Sequence, residues 1–147
     1  GAAAWQSELV VNNRVVVYTD GACTDNQDDR LRRAGCGAFW STGHSYNISC
    51  VLEGCLQSNQ RAELQAVVLV LQKESRPVEI RTDSKYVHDG ATARRNDWRQ
   101  CGWLHIYNGD LWQTLDQLLE SRAPGDVLFT KVKGHAKMGH VRAGLTT

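Results

Sequence analysis

Apolar positions in this chain form short β-branched runs toward its two ends and one long helical block between them. Residues 15–20 open with Val15-Val16-Val17, and residues 78–82 read Val-Glu-Ile-Arg-Thr, patterns suited to buried strands. Between them, residues 34–40 and 46–52 read as two further strands, the first with Gly35 and Gly37, which permit close backbone approach. Residues 58–72 carry Leu64, Val67, Val68 and Leu71 at helical spacing, with Ala66, Leu69 and Val70 making the helix apolar on most sides, so it belongs in the middle of a domain. Pro77 punctuates before the strand at 78–82, a short helix is expected at 84–90, and residues 110–122 place Leu111, Leu115, Leu118 and Leu119 on one helical stripe. A final strand is expected at 127–132. The order strand, helix, strand implies a right-handed crossover and a parallel pair. The expected fold is therefore α/β, a mixed five-stranded sheet with its first three strands antiparallel and helices on both faces.

A chain of 147 residues with 41% hydrophobic content suits one domain with a substantial core. No apolar run approaches a membrane span and no basic-plus-apolar N-terminal stretch resembles a secretory signal, so no membrane partner is expected. Five cysteines, Cys23, Cys36, Cys50, Cys55 and Cys101, without a Cys-x-x-Cys pair suit reduced thiols in an intracellular compartment. The net charge of +1 is not that of a generally basic nucleic-acid binder, but its distribution is uneven. Arg94, Arg95 and Arg99 cluster, and beyond Asp126 the chain has Lys131, Lys133, Lys137 and Arg142 but no acid. Residues 1–13 read as a leader or linker ahead of a domain over 14–147. With Gly1 first and Met138 its sole methionine, the sequence reads as part of something longer, such as a polyprotein or reverse transcriptase.

Three separated fragments carry the candidate chemistry: Tyr18-Thr19-Asp20-Gly21-Ala22, Asn59-Gln60-Arg61-Ala62-Glu63-Leu64 and Ile80-Arg81-Thr82-Asp83-Ser84. Asp20 and Asp83 fall at strand ends that converge if those strands pair, and Glu63 is expected in the first turn of the long helix above them. Converging carboxylates resist ionisation unless a cation offsets their charge. An all-carboxylate donor set favours Mg²⁺, or Mn²⁺, over zinc. Two such ions about 3.5–4 Å apart can activate water and stabilise the leaving oxygen in phosphodiester hydrolysis.

From about Val15 to His135 the chain resembles the type 1 ribonuclease H family, through Thr19-Asp20-Gly21-Ala22-Cys23, Asn59-Gln60-Arg61-Ala62-Glu63, Thr82-Asp83-Ser84 and Lys133-Gly134-His135 in the family's order. The resemblance implies a monomeric endonuclease domain that cuts the RNA strand of RNA/DNA hybrids. It implies metal ligation by Asp20, Glu63 and Asp83, with His135 as a mobile proton carrier. Selection of RNA by its 2′-hydroxyl would fall to Asn59 and Gln60, with Cys23, Asp25 and Asn26 in the first loop. Arg94, Arg95, Arg99 and Trp98 match a basic protrusion that holds the DNA strand, Ser58 and Asn108 a DNA-phosphate pocket, and Tyr86 and Trp98 the channel lining.

Two departures from the family pattern carry consequences. Leu56 stands where some members place an arginine in the phosphate pocket, which implies a weaker grip. The fourth carboxylate expected after His135, at the start of a final helix, is missing from this sequence, so the domain is expected to lack its C-terminal end. The alternative expectation is therefore a catalytically impaired hybrid-binding domain, such as a degenerate or truncated retroelement copy.

Overall fold

The computed structural model describes residues 8–24, 33–41, 43–51 and 59–133, without the side chains of 22–24, 33–34 and 50–51. Its elements in chain order are β1 (Val10–Val11), β2 (Arg14–Thr24), β3 (Arg33–Phe39), β4 (Ile48–Val51), α1 (Asn59–Lys73), β5 (Val78–Thr82), α2 (Lys85–Asp89), a π-helical turn (Gly90–Arg94), α3 (Arg95–Gln100), α4 (Gly109–Glu120) and β6 (Val127–Lys131). The strands form one sheet in the order β4-β3-β2-β5-β6, with β1 paired to β2 as a short sixth strand. β2, β3 and β4 are antiparallel, whereas β5 and β6 run parallel to β2.

The five expected strands are present, and the stretch read as a leader contributes β1. Asn12 and Asn13 take left-handed conformations, with φ of 50° and 66°, and turn β1 back onto β2. Two consecutive residues at positive φ suit a tight hairpin, and asparagine adopts that region more readily than most residues.

Alternation along the strands sorts their side chains. Val15 and Val17 of β2, Val78 and Ile80 of β5, Phe129 of β6 and Ala38 of β3 join one apolar core with Leu64, Val67, Val68, Val70 and Leu71 of α1. Val87 of α2 and Trp112 and Leu115 of α4 belong to the same core, so these described helices share one face of the sheet. The opposite face carries a polar set: Glu79 accepts hydrogen bonds from Arg81 at 2.9 Å and Thr130 at 2.8 Å, and Arg81 donates to the Tyr18 hydroxyl at 3.0 Å.

Just beyond α1, the buried Glu74 is answered on several sides. Its carboxylate accepts from the Trp40 indole at 3.1 Å and from the Arg76 guanidinium and backbone at 2.9–3.1 Å. Burial alone would raise the Glu74 pKa, but hydrogen bonds from Arg76 and Trp40 hold it below the usual carboxylate range. Arg76 also pairs with Glu8 at 2.9 Å, and Glu8 meets His44 Nε2 at 2.8 Å. His44 Nδ1 accepts from the Tyr46 backbone at 3.0 Å, which assigns the ring hydrogen to Nε2. Arg122 closes the cluster by donating to the backbone carbonyls of Leu71, Glu74 and Arg76. Residues before β1, the end of β3 and the end of α1 are thereby clasped together.

Candidate active site

Strand register decides where the two aspartates meet. β2 and β5 are parallel neighbours, with Thr19 opposite Thr82, so Asp20 and Asp83 each stand one residue further on, side by side at the same end of the sheet. β6 ends at that level too: Thr82 pairs with Lys131, and the Val132 amide donates to the Thr82 carbonyl at 2.9 Å. Ser84 then caps α2, its hydroxyl accepting from the Val87 amide at 3.1 Å, so the chain turns sharply away just after Asp83.

Glu63 arrives from above through an unusually close approach. A Cβ on Gly21 would lie 2.4 Å from the Glu63 backbone nitrogen, 2.5 Å from the Ala62 carbonyl carbon and 2.7 Å from the Glu63 Cα. Only a residue without a side chain lets α1 settle onto β2 at this point. The glycine directly after Asp20 is thus the residue that brings Glu63 beside it. α1 begins at Asn59, within one residue of the expected start, and Glu63 is its fifth residue, so it follows the first turn rather than lying within it as expected. Asn59 and Gln60 occupy the exposed start of the same helix. Asp20 is 7% exposed, and Glu63 and Asp83 are partly exposed.

A second group of side chains lines the flank of α1 and α4. Arg61 grips Asp110 with two parallel hydrogen bonds of 3.0 and 2.7 Å, and donates a third, of 3.1 Å, to Asn108 Oδ1. This guanidinium holds the Asp110 carboxyl below its usual pKa. With its oxygen engaged by Arg61, the Asn108 amide points its nitrogen at the Tyr86 hydroxyl, 3.3 Å away. Trp112 also donates to that hydroxyl, at 2.8 Å. Asn108 has φ of 59°, a left-handed conformation for which asparagine is well suited at the entry to α4.

Trp112, fully buried, is the hub of this wall: its ring meets Tyr86 and Trp98 edge-on, at centroid distances of 5.5 and 5.1 Å. A Cβ on Gly90 would lie 2.2 Å from the Trp112 ring, so the turn after α2 is packed directly against it. Arg94 is exposed, whereas Arg95 and Arg99 both reach Asp116 of α4. Asp25, Asn26, Ser58 and His135, together with the Cys23 side chain and position 56, lie outside the described residues.

The sequence profile of the RNase H family matches residues 12–143. The chain belongs to the RNase H family. It is 34% identical to ribonuclease H of Schizosaccharomyces pombe over 89% of its own length and 50% of that protein, and 38% identical to ribonuclease H of Phenylobacterium zucineum over 86% of its length and 80% of that protein. Against mouse ribonuclease H1 the identity is 32%, covering 83% of this chain and 44% of the relative, so the chain spans about half the length of the yeast and mouse proteins. Among solved structures, a type 1 RNase H with the type 2 active-site motif superposes with a TM-score of 0.65 at 27% identity, covering 87% of this chain and 68% of that one. The foamy viral protease-reverse transcriptase in complex with dsDNA shares the fold, with a TM-score of 0.71 at 21% identity over 94% of this chain and 93% of that one.

RNase H family members generally use divalent metal ions. In this RNase H chain the donor chemistry fits such an ion, because the residues brought to the strand ends are all carboxylates. Their backbone placement fits as well: two acids come from adjoining strands, and the third from a helix pressed on the intervening glycine. As positioned, no three or more His, Cys, Asp or Glu side chains among the described residues are gathered closely enough to hold a metal. The fit therefore lies in placement and donor type.

Two residues that build this candidate site, Arg61 and Trp112, were not singled out from the sequence. Arg61 lies inside the quoted Asn59-Gln60-Arg61-Ala62-Glu63 fragment, but its partners Asn108 and Asp110 are more than forty positions away, and no local signal joins them. Trp112 lies on an amphipathic helix and reads as ordinary core until its indole is seen to donate to Tyr86.

Proposed function

We propose that this chain is a metal-dependent endonuclease that hydrolyses the RNA strand of RNA/DNA hybrids. The observation that carries this reading is the juxtaposition of Asp20, Asp83 and the Glu63 backbone at one end of the sheet, through the β2–β5 register and the Gly21 contact. Asp20, Glu63 and Asp83 would hold Mg²⁺, or Mn²⁺, as a pair of ions. Bound there, such ions would supply positive charge against the scissile phosphate and would lower the pKa of a bound water, and hydrolysis would leave 3′-hydroxyl and 5′-phosphate ends. Asn59 and Gln60, exposed beside Glu63, face the minor groove and its 2′-hydroxyls, and Cys23, Asp25 and Asn26 share the selection of RNA by that hydroxyl. His135 carries a proton to the departing oxygen.

The wall of Tyr86, Trp98 and Asn108, with Ser58, guides the DNA strand, and Arg94 offers it a cation. Arg61 orients Asn108 and thereby places the DNA-facing amide relative to Glu63 on the same helix. The decisive experiment incubates the chain with a hybrid labelled on its RNA strand, in Mg²⁺ and in EDTA, beside duplex DNA of the same sequence. Mg²⁺-dependent cutting of RNA in the hybrid alone supports the reading. Equal cutting of duplex DNA contradicts the substrate class.

A second reading, a hybrid-binding domain without turnover, is supported by the positions of the acids, since no three His, Cys, Asp or Glu side chains among the described residues gather closely enough to hold a metal. Hybrid binding without cleavage in that assay would select it.

A further inference from the structure

The basic stretch from Arg94 to Arg99 has its charge answered from within the protein. Arg95 donates to Asp116 Oδ1 at 2.5 Å, and Arg99 donates to both Asp116 oxygens, at 2.9 and 2.8 Å. Glu120, one helical turn further along α4, meets Arg99 at 2.5 Å and Arg95 at 3.5 Å. Two guanidinium groups therefore face two carboxylates. Asp116 is 6% exposed, and burial would raise its pKa, but the hydrogen bonds from Arg99 and Arg95 hold it below the usual carboxylate range. Of the other cations nearby, Lys85 is paired with Asp89 at 2.6 Å, whereas Arg94 is exposed.

We propose that Asp116 and Glu120 hold Arg95 and Arg99 in cis, so that these arginines fix α3 on α4 while the two carboxylates set how strongly the protrusion grips a phosphate backbone. This rests on the hybrid-binding reading above. The two acids differ in their environment. Asp116, buried between both guanidinium groups, anchors α3 and keeps Trp98 against Trp112. Glu120, 54% exposed in its side chain, competes with phosphate for the half-exposed Arg99. Phosphate contact by the unmodified protrusion then falls to Arg94. Asp116 and Glu120 are positioning residues: they act on nucleic acid through the arginines they occupy.

Binding of a fluorescent RNA/DNA hybrid in EDTA, measured as a function of salt, tests this. Each cation that neutralises a phosphate contributes up to about 0.9 to the slope of log K against log salt. Glu120→Gln is expected to steepen that slope by up to about 0.9, which corresponds to an affinity gain of roughly threefold on going from 200 to 50 mM salt relative to the parent. Arg94→Gln is expected to make it shallower by about the same amount. Arg99→Gln is expected to leave the slope in place and lower the melting temperature. The proposal is overturned if Arg99→Gln flattens the slope by about 0.9 while Glu120→Gln leaves it unaltered, since Arg99 would then contact phosphate directly.

Because Glu120 is at the surface, its variant is expected to fold even where Asp116→Asn does not. If the parent chain binds no hybrid, the functional reading fails on its own account. A thermal double-mutant cycle between Arg99 and Asp116 then decides the anchoring role: coupled losses support it, and strictly additive losses overturn it.

Discussion

The two ends of α1 each present a glutamate, and the surroundings of the two differ in kind. Glu74, just past the C-terminal end, is 1% exposed and surrounded by donors: Trp40, the Arg76 side chain and the Arg76 amide. Glu63, eleven positions earlier and about 16 Å away along the helix at 1.5 Å per residue, is brought beside two further acids, Asp20 and Asp83. A buried carboxylate enclosed by matching donors rigidifies the fold, because its desolvation is offset where it stands. Acids collected from three elements do the reverse, raising a repulsion that a cation relieves. The same residue type on one helix is thus enclosed by donors at one end and set beside other acids at the other, where the proposed function gives it chemistry.

Substitutions should separate these roles. The largest effect is expected at the acid end on activity: Asp83→Asn and Glu63→Gln should each lower Mg²⁺-dependent hybrid cleavage by roughly 100-fold or more, since cation contacts are worth several kcal/mol of transition-state stabilisation. Their thermal melts should stay close to that of the parent, and a variant with undiminished cleavage would remove its residue from the site.

Next comes Glu74→Ala, which leaves Arg76 and the Trp40 indole without their shared acceptor. A loss of about 3–5 kcal/mol is expected in urea unfolding, as for other broken buried ion pairs. Gly21→Ala should follow, at about 1–3 kcal/mol, because its methyl group must push α1 away from β2. This variant joins the two halves of the comparison: its melting temperature and its cleavage rate should fall together, whereas Glu74→Ala should act on stability.

The smallest expected effect is one of pH. Glu74, Glu8 and Asp116 all have depressed pKa values in the folded protein. Each therefore contributes stability that is present above its unfolded pKa, about 4, and is lost as pH falls through the lower folded value. Stability measured between pH 6 and 3 should decline, and Glu74→Gln should make that decline shallower.

Much of this organisation was legible in the sequence, for identifiable reasons. Val15-Val16-Val17 and the 78–82 stretch announce buried strands because β-branched residues suit them, and Pro77 marks the entry to the second. The parallel pairing of β2 with β5 follows from the intervening helix, and it carries Asp20 and Asp83 to one end without any further signal. The hairpin of β1 was missed because Asn12-Asn13 lacks the glycine that usually advertises such a turn. The captured arginines illustrate a different limit. Arg95, Arg99, Asp116 and Glu120 are all visible as charges, but which cation meets which acid depends on how α3 lies on α4, a tertiary contact that no helical spacing encodes. Gly21 reads as a strand glycine, and its contact with Glu63 becomes apparent only when β2 and α1 are placed together.

The most direct test of the central claim is a Mn²⁺ titration followed by nuclear magnetic resonance of the isotope-labelled chain, since paramagnetic broadening reports proximity to the ion without requiring turnover. Selective loss of the amide signals of residues 19–21, 62–64 and 82–84 at substoichiometric Mn²⁺, abolished in Asp83→Asn, is the predicted result. Broadening confined to other parts of the sheet, or unchanged in that variant, would contradict the assignment of Asp20, Glu63 and Asp83 to one cation site.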